Sequence, residues 1–355
     1  MEQYLLNWPG RADALRRSRE PTDRVLRPRC RESLLFDQAR NVVIQEEPLT
    51  ALALLQESLL ERVTLVSLAL PAPPPGSGDQ GQNHSAWLSV ACPLFRLAWN
   101  LLHHRGVLQV ALPAGEEVPL LFLLDELFGE EQRLFSWSEG AGPGRTVHYC
   151  KNALAGTTPD SPWQEREGCL LVLADPAAPR KAVAQVDRML AHNSQDQGGR
   201  SLLLILPPGD RETLEHLRGR EMPFRLLRGD TATLEEPLAQ PPDDLQQDLP
   251  LQIERIKPGR TSEDLFFHAL LSRGIPPGVP LERQPLAGDT LFWADRNRLA
   301  AWFGHTLEDL VPDEIARRRP GAAIFRESAF TGEEHKRALE HRFRESSPGT
   351  VVGWL

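Results

Sequence analysis

Two loops that follow predicted strands are the places where this sequence is expected to hold its chemical groups. The strand "LVSLAL" (65–70) leads into "PAPPPGSG" (71–78), and the strand "GCLLVLAD" (168–175) leads into "PAAPRK" (176–181). In parallel sheets, ligands bind beyond the carboxyl ends of the strands, where the connecting loops meet. The first loop contains no Asp, Asn, Tyr or Phe, so it offers no carboxylate or amide oxygen for a polar ligand and no ring for stacking.

Histidine and cysteine are too scattered to predict a metal centre. His84, His103 and His104 have no carboxylate partners at ligand spacing, and we expect them at the surface or at the start of a helix. The cysteines form neither a CxxC pair nor a group with histidine; they are Cys30, Cys92, Cys150 and Cys169. The sequence therefore predicts no metal site and no disulfide framework.

Strand-like and helix-like segments alternate along the first two thirds of the chain. Predicted strands cover 41–44, 62–70, 107–112, 168–175, 200–208 and 223–227, and predicted helices cover 49–61, 84–106, 180–193 and 211–218, with a further helix ending at "LLFLLDELFGEE". We expect Pro93 to interrupt or offset the helix that starts near His84. Continuous apolar strands separated by helices indicate an α/β fold, in which a mostly parallel sheet is covered by helices on both faces.

A polar, proline-rich stretch precedes a smaller second α/β domain. In it, "TSEDLFFHALLSRG" (261–274) predicts a capped helix, and "TLFWADRNRLAAWFG" predicts a hairpin that turns around Asp295 to Arg298. No internal repeat is present. The predicted organisation is an N-terminal arm (1–40), a first α/β domain (41–234), a linker (235–250) and a C-terminal α/β domain (251–355).

Composition and charge exclude several classes of protein. The 355 residues are 41% hydrophobic, which is enough for a sizeable core, and no apolar run reaches the length that spans a membrane. The N-terminus has no apolar signal-peptide core, so we expect a cytoplasmic protein. A net charge of −9 disfavours strong binding to a phosphate backbone. The densest basic run, "RPRCR" (27–31), is typical of a solvated segment.

Long stretches of the chain resemble one family. They are "NWPGRADALRRSREPTDRVLRPRCRESLLFDQARNVVIQEEPLTALALLQ", "HSAWLSVACPLFRLAWNLLHHRGVLQVAL", "LLDELFGEE", "HYCKN", "IERIKPGRTSEDLFFHALLSRG" and "AAIFRESAF" with "HRFRESSPGT". Together they resemble the modification subunit of type III restriction-modification systems, a family of adenine-N6 DNA methyltransferases that use S-adenosylmethionine. The resemblance implies a Rossmann-like methyltransferase fold with a small C-terminal domain, whereas activity depends on the site residues.

The catalytic motif of the family is absent at the matching positions. The family places Asp-Pro-Pro-Tyr after the strand that here reads "LVSLAL", because a flipped adenine needs its amine held by a side-chain oxygen and a backbone carbonyl, with an aromatic ring on the base. The matching residues are Ala69, Leu70, Pro71 and Ala72. Sliding the alignment along the prolines restores neither the acid nor the ring.

The cofactor motifs are also degenerate. The family's Phe-x-Gly-x-Gly turn lets the backbone approach the methionine part of the cofactor, but Ala177 replaces the Phe, and Pro179 and Lys181 replace the two glycines. Asp175 and Pro176 still resemble the start of that motif. Glu47 retains a carboxylate from the family's Gly-Asp-Asn-Leu element, although Pro48 cannot replace its Asn. The resemblance implies that Glu47 and Asp175 are the remaining candidates for contacting a nucleotide.

The family's target-recognition domain, which reads the DNA sequence, is expected to be missing near 150–168. Only about 15 residues separate "HYCKN" from the next strand. Reading bases also needs Arg, Lys, Asn and Gln side chains delivered into a groove of the DNA. Among the tryptophans, we expect Trp87, Trp99, Trp137 and Trp163 to pack in the core or an interface rather than to stack on bases.

These departures predict a catalytically inactive subunit with no cofactor, kept for protein contact. The resemblance implies partners such as another modification subunit, a helicase-nuclease subunit or a second copy of the chain, with weak or indirect DNA contact and no membrane. Four aromatic residues are the expected interface, namely Trp293, Trp302, Phe303 and Phe330. The alternative is a residual adenine-N6 DNA methyltransferase that uses S-adenosylmethionine.

Overall fold

The computed structural model describes residues 6–71, 80–113, 115–134, 145–152, 163, 165–175, 178–235 and 255–355. Its strands are β1 (Arg24–Pro28), β2 (Asn41–Gln45), β3 (Val63–Ala69), β4 (Leu102–Leu112), β5 (Arg133–Leu134), β6 (Arg145–Cys150), β7 (Glu167–Leu173), β8 (Gly199–Leu206), β9 (Phe224–Thr231), β10 (Leu281–Leu286), β11 (Asp289–Ala294), β12 (Leu299–Trp302), β13 (Ala322–Phe325) and β14 (Val351–Trp354). Its helices are α1 (Arg11–Arg17), α2 (Pro48–Leu59), α3 (Gln80–Leu101), α4 (Glu117–Phe128), α5 (Pro179–Asp196), α6 (Glu212–Gly219), α7 (Ser262–Ser272), α8 (Leu310–Arg318) and α9 (Glu333–Ser346).

The chain forms two units. The first contains Met1–Thr22, Arg29–Leu34 and Arg40–Gly229, and the second contains Asp23–Pro28, Leu35–Ala39 and Asp230–Leu355. Two short N-terminal segments are thus grouped with the C-terminal unit. The domain bounds derived from the sequence remain a prediction.

The sheet of the first unit is mostly parallel, as the sequence predicts. Its strands lie in the order β9, β2, β8, β7, β3, β4, β6, β5. Neighbours from β9 to β4 run parallel, and only β6 is antiparallel to β4 and β5. The continuous apolar strands explain this arrangement, because a strand buried on both faces needs hydrophobic side chains at successive positions. The predicted α/β fold is confirmed.

Helices α5 and α6 cover one face of this sheet, and the core of the first unit lies between them and the strands. Val172, Leu204 and Leu226 pack there against Val186 and Leu217. On β3, Leu65 faces this cluster, while the alternate residues Val66 and Leu68 are buried as well. Helix α3 packs beside α2 and α4. Among the described residues, no helix is long and apolar enough to cross a membrane.

Two predicted boundaries in the first unit are wrong. Helix α3 runs through Pro93 without a break, and Pro93 is buried among apolar side chains, whose packing outweighs the lost backbone hydrogen bond. Strand β4 begins at Leu102, five residues before its predicted start. His103 and His104 therefore lie within a strand, in the irregular stretch between Leu102 and Val107, which are the residues that pair with β3 on either side.

The second unit is built on a five-stranded mixed sheet in the order β10, β11, β12, β13, β14. Strands β10 to β12 are antiparallel and β12 to β14 are parallel. The predicted hairpin around Asp295 to Arg298 joins β11 to β12. Helix α7 has the predicted cap, since Thr261 accepts from the Asp264 amide and Asp264 accepts from the Thr261 amide.

The aromatic side chains expected to form an interface lie in the core of the second unit. Trp293, Trp302, Phe303 and Phe330 are each at most 1% exposed. Three of them, Trp293, Trp302 and Phe330, pack with residues of α8 and α9 such as Ile315 and Phe343. The expectation that they form an interface is therefore wrong, because a small domain buries its largest apolar side chains first.

Candidate functional site

The predicted site residues converge at one edge of the first sheet. Gln45 lies opposite Leu206, Ile205 opposite Leu173, and Leu173 opposite Leu68. The carboxyl ends of β2, β8, β7 and β3 are therefore level with one another. We call the residues at these ends, 45–47, 69–71 and 174–175, the strand-end edge. It brings Glu47, Asp175 and the degenerate catalytic stretch to the same side of the sheet.

The stretch after β3, residues 69–71, offers no polar side chain to this edge. Ala69 and Leu70 are apolar, and Leu70 is only 8% exposed, so it belongs to the core. The carbonyl oxygen of Pro71 already accepts a hydrogen bond from Trp87 Nε1 at 2.9 Å. Ala72 lies outside the described residues. What remains at 69–71 can neither bond to an exocyclic amine through a side chain nor stack on a base.

The carboxylate of Glu47 acts as a helix cap. Its Oε2 accepts hydrogen bonds from the Thr50 amide at 3.0 Å and from Thr50 Oγ1 at 3.2 Å. Pro48 occupies the first turn of α2, where its missing N–H costs nothing. Glu46 is buried, and its Oε1 accepts from the Glu47 amide at 2.8 Å. Both carboxylates after β2 therefore serve the start of α2.

Replacing Glu47 tests this structural role. We expect Glu47→Ala to lower the free energy of unfolding of the first unit by about 1 kcal/mol, the usual effect of losing an N-cap. Glu57→Ala, an exposed position on the same helix, is the matched control and should change it by less than about 0.5 kcal/mol. Equal effects of the two variants in urea denaturation would contradict the cap assignment.

Several polar groups beside the strand-end edge are hydrogen-bonded to one another. Gln45 donates from Nε2 to the Asp210 carbonyl at 3.0 Å and accepts from Arg228 Nε at 2.8 Å. The other two nitrogens of Arg228 bind both carboxylate oxygens of Glu32 at 2.9 and 2.6 Å. The Asp210 side chain caps α6 by accepting from the Thr213 amide at 3.0 Å. These groups satisfy one another's hydrogen bonds.

Sequence reasoning missed this polar set. Its partners lie far apart along the chain, and each residue alone is typical of a protein surface. The one local signal is Gly229, where a β-carbon would collide with the carboxylate of Glu46. A glycine in a strand often marks such a close approach.

The loop after β7 leads into helix α5. Asp175 is 4% exposed, and its backbone carbonyl accepts from the Ala178 amide at 2.9 Å. Pro179 begins α5, Lys181 lies exposed in the first turn, and the Lys181 amide donates to the Ala178 carbonyl at 3.0 Å. Pro176 and Ala177 lie outside the described residues. Pro179 and Lys181 stand at the positions expected from the resemblance to be glycine.

The tryptophans within the described residues are packed against protein. Trp163 is 5% exposed and stacks on His192 with 4.9 Å between ring centroids, and its carbonyl accepts from Arg200 at 2.7 Å. Trp87 is buried, and Trp99 stacks on Phe128 at 4.3 Å. Trp137 lies outside the described residues. The expectation of core packing is confirmed for these three. Absence of a recognition domain near 150–168 remains a prediction.

Two histidines have carboxylate partners that the sequence did not reveal. His84 Nδ1 lies 3.0 Å from Glu116 and His103 Nε2 lies 3.3 Å from Glu165. Each is a single pair rather than a ligand set. Within the described ranges, no group of three or more His, Cys, Asp or Glu residues is placed to hold a metal ion.

A buried polar row crosses the sheet behind the strand-end edge. Ser67 lies opposite Gln109, and Gln109 lies opposite His148. All three are less than 9% exposed, and His148 is 1% exposed. Burial disfavours the charged imidazolium and lowers the pKa of His148 from 6.5 to about 4.

This shift predicts a pH-dependent stability. Because unfolded His148 titrates near 6.5 and the folded residue near 4, the unfolded state binds more protons between these values and stability falls as the pH drops through this window. We expect His148 to account for about 2 kcal/mol of the unfolding free energy lost between pH 7 and pH 5. His148→Gln should remove that part of the slope in urea denaturation at several pH values, whereas His104→Gln, at an exposed position, should retain it. An unchanged slope in His148→Gln would contradict the assignment.

Comparisons with known proteins show a distant likeness in one half of the chain. A solved structure of a candidate DNA modification methylase from Thermus thermophilus matches with 13% identity and a TM-score of 0.35, covering 53% of this chain and 98% of that one. The same Thermus protein complexed with S-adenosyl-L-methionine matches with the same identity and TM-score. PvuII DNA methyltransferase, specific for cytosine N4, matches with 10% identity and a TM-score of 0.31, covering 52% and 95%. No protein-family model matches the chain, and no curated protein does.

Proposed function

We propose that this chain is a catalytically inactive, methyltransferase-like subunit that acts as a protein-interaction or assembly component of a restriction-modification or anti-phage defence complex. The observation that carries the proposal is the state of the strand-end edge. Ala69 and Leu70 supply no hydrogen-bonding side chain, the Pro71 carbonyl is bonded to Trp87, and the Glu47 carboxylate caps α2.

Methyl transfer to an amine needs oxygen atoms at the site that are free to bind the substrate. The acceptor amine must be held in line with the donor methyl group, and positioning of this kind supplies roughly 7–11 kcal/mol of the barrier reduction in well-oriented reactions. Positioning requires free oxygens that point at the amine and a backbone turn that admits the cofactor. At this edge Glu46 Oε1, Glu47 Oε2 and the Pro71 carbonyl oxygen are bonded within the protein instead.

The packed interior supports a binding role for the retained fold. Central strand residues such as Val66, Leu171 and Leu204 are fully buried. These strands therefore stabilise the fold, whatever groups lie at their carboxyl ends. A fold without its site serves through its surface. The partners that we propose are another modification subunit, a helicase-nuclease subunit or a second copy of the chain.

A methyl-transfer assay tests the loss of activity. The purified chain is incubated with radiolabelled S-adenosylmethionine and unmethylated duplex DNA, and heat-denatured chain serves as the control. We expect incorporation equal to that of the control. Incorporation above it would contradict the proposal and support the alternative, a residual adenine-N6 DNA methyltransferase.

A sedimentation experiment tests the assembly role for one of these partners. If the partner is a second copy, the purified chain sediments as a dimer at micromolar concentration. A monomer at every concentration would exclude self-assembly. The remaining proposed partners would then be another modification subunit and a helicase-nuclease subunit.

A further inference from the structure

One end of the second unit collects four arginines from three separate turns. Helix α7 ends there, the β11–β12 hairpin turns there, and α8 ends before β13. Hydrogen bonds join the three segments: Arg298 donates to the Gly274 carbonyl at 3.5 Å, Asn297 to the Arg318 carbonyl at 3.0 Å, and the Ala322 amide to the Arg298 carbonyl at 3.1 Å. We call the four exposed arginines of these turns the arginine end; they are Arg273, Arg296, Arg298 and Arg319.

Few carboxylates of the protein neutralise the four guanidinium groups of the arginine end. Within the part of the chain that the structure describes, the side chains of Arg273, Arg296 and Arg319 make no hydrogen bond or ion pair. Arg298 has a single carboxylate neighbour, Asp295, at 3.8 Å. On the neighbouring elements α8 and β10, Glu314 and Glu282 are bound by Arg317 and by Arg318.

Two of these arginines occupy backbone positions that favour glycine. Arg296 has a φ of 62° in the hairpin turn, and Arg319 has a φ of 49° after α8. Hairpin turns with positive φ prefer Asn-Gly, and the residue after a helix in this conformation is usually Gly. An L-residue there costs roughly 1–2 kcal/mol. Glycine at either position would remove this cost.

Helix ends account for only part of this charge. The last carbonyls of a helix carry a partial negative charge that basic residues offset, which applies to Arg273 after α7 and to Arg319 after α8. Arg298 donates to the Gly274 carbonyl just beyond α7, whereas Arg296 belongs to the hairpin and makes no such contact within the described residues. The arginine end thus retains an excess of positive charge.

The charge balance of this part of the chain also permits anion binding. Residues 255–355 contain 15 Lys and Arg against 14 Asp and Glu, whereas residues 1–254 contain 25 against 35. The acidity that disfavours phosphate binding is therefore confined to the first part of the chain. Val351 is the one large exposed hydrophobic residue described near this end, so the surface lacks the apolar centre of a protein interface.

We propose that the arginine end binds the phosphate backbone of nucleic acid without reading its sequence. A guanidinium fork pairs with two phosphate oxygens, and contacts of this kind position a protein on a duplex without specifying bases. The inference is independent of the lost methyltransferase site, because it concerns the second unit alone.

The double variant Arg296→Gly with Arg319→Gly tests this proposal. Glycine suits both backbone conformations, so the variant should fold with an unchanged or raised melting temperature. The matched control is Arg17→Ala with Arg19→Ala, which removes the same charge from exposed positions of the first unit. Binding is measured by fluorescence anisotropy with a labelled duplex of arbitrary sequence, about two helical turns long, over a salt series from roughly 20 to 200 mM.

We expect the wild type and the control to bind with the same salt dependence. The double glycine variant should bind about tenfold more weakly at about 50 mM salt, and its slope of log affinity against log salt should be smaller by about 2, because two phosphate contacts are lost. Equal binding by the wild type and this variant, an equal loss in the control, or no binding by the wild type at the lowest salt concentration would each overturn the proposal. So would binding to anionic lipid vesicles without binding to the duplex.

Discussion

Trp302→Ala is expected to lower the free energy of unfolding of the second unit by about 3–5 kcal/mol. The Trp302 side chain is 1% exposed, and its indole donates to the Leu286 carbonyl at 3.3 Å. A β-carbon on Gly304 would collide with the ring, which shows how closely the chain passes. Truncation therefore leaves a cavity and removes the hydrogen bond to the Leu286 carbonyl. Amide hydrogen exchange of β11 to β13 under native conditions measures the loss.

Val351→Ala is the matched control for this variant. Val351 is 58% exposed in the same sheet, so its truncation should change stability by less than about 0.5 kcal/mol. If Trp302 served an interface instead of the core, Trp302→Ala would leave exchange protection of the isolated chain unchanged. That result would contradict the packing described above.

Asp264→Ala is expected to lower the free energy of unfolding of the second unit by about 3 kcal/mol. Asp264 is 3% exposed and accepts two hydrogen bonds from Arg27, at 2.9 and 2.7 Å, besides capping α7. Removing the carboxylate leaves Arg27 with Asp230, 2.8 Å away, as its remaining anionic partner. The loss is measured by urea denaturation of the full chain.

A double-mutant cycle with Arg27→Ala isolates the ion pair. We expect a coupling energy above about 1 kcal/mol, because the two residues are in contact and share hydrogen bonds. Glu334→Ala, an exposed position on α9, controls for loss of a carboxylate. Additive effects of Asp264→Ala and Arg27→Ala would contradict the pairing, and with it the grouping of residues 23–28 with the second unit.

Hydrophobic pattern was enough to predict the parallel strands of the first sheet, whereas the antiparallel strands β5 and β6 were not predicted. The run "LVSLAL" and the strands at 168–175 and 200–208 are apolar at successive positions, and they occupy the centre of the sheet. The caps and turns of the second unit were equally predictable, since Thr261 with Asp264 forms the expected capping box. Features set by a few neighbouring residues can be predicted from the sequence.

Features set by distant residues could not be predicted. Arg27 lies in the basic run expected to be solvated, yet its partner is Asp264, 237 positions away. The hydrogen bond from Trp87 to Pro71 and the set formed by Gln45, Arg228 and Glu32 likewise depend on the folded topology. The sequence predicted which side chains lie at the strand-end edge, whereas the structure shows the hydrogen bonds that they make.

The most direct test of the proposed loss of chemistry is calorimetric titration of the purified chain with S-adenosylmethionine up to millimolar concentration, with S-adenosylhomocysteine alongside. Thermal melting with each compound guards against binding that releases no heat. We predict no saturable heat and no rise in melting temperature, because the carboxylate of Glu47 is bonded to Thr50 and Pro179 and Lys181 stand where a glycine-rich turn would admit the cofactor. Saturable binding with a ligand-dependent rise in melting temperature would contradict the account and reopen the enzyme alternative.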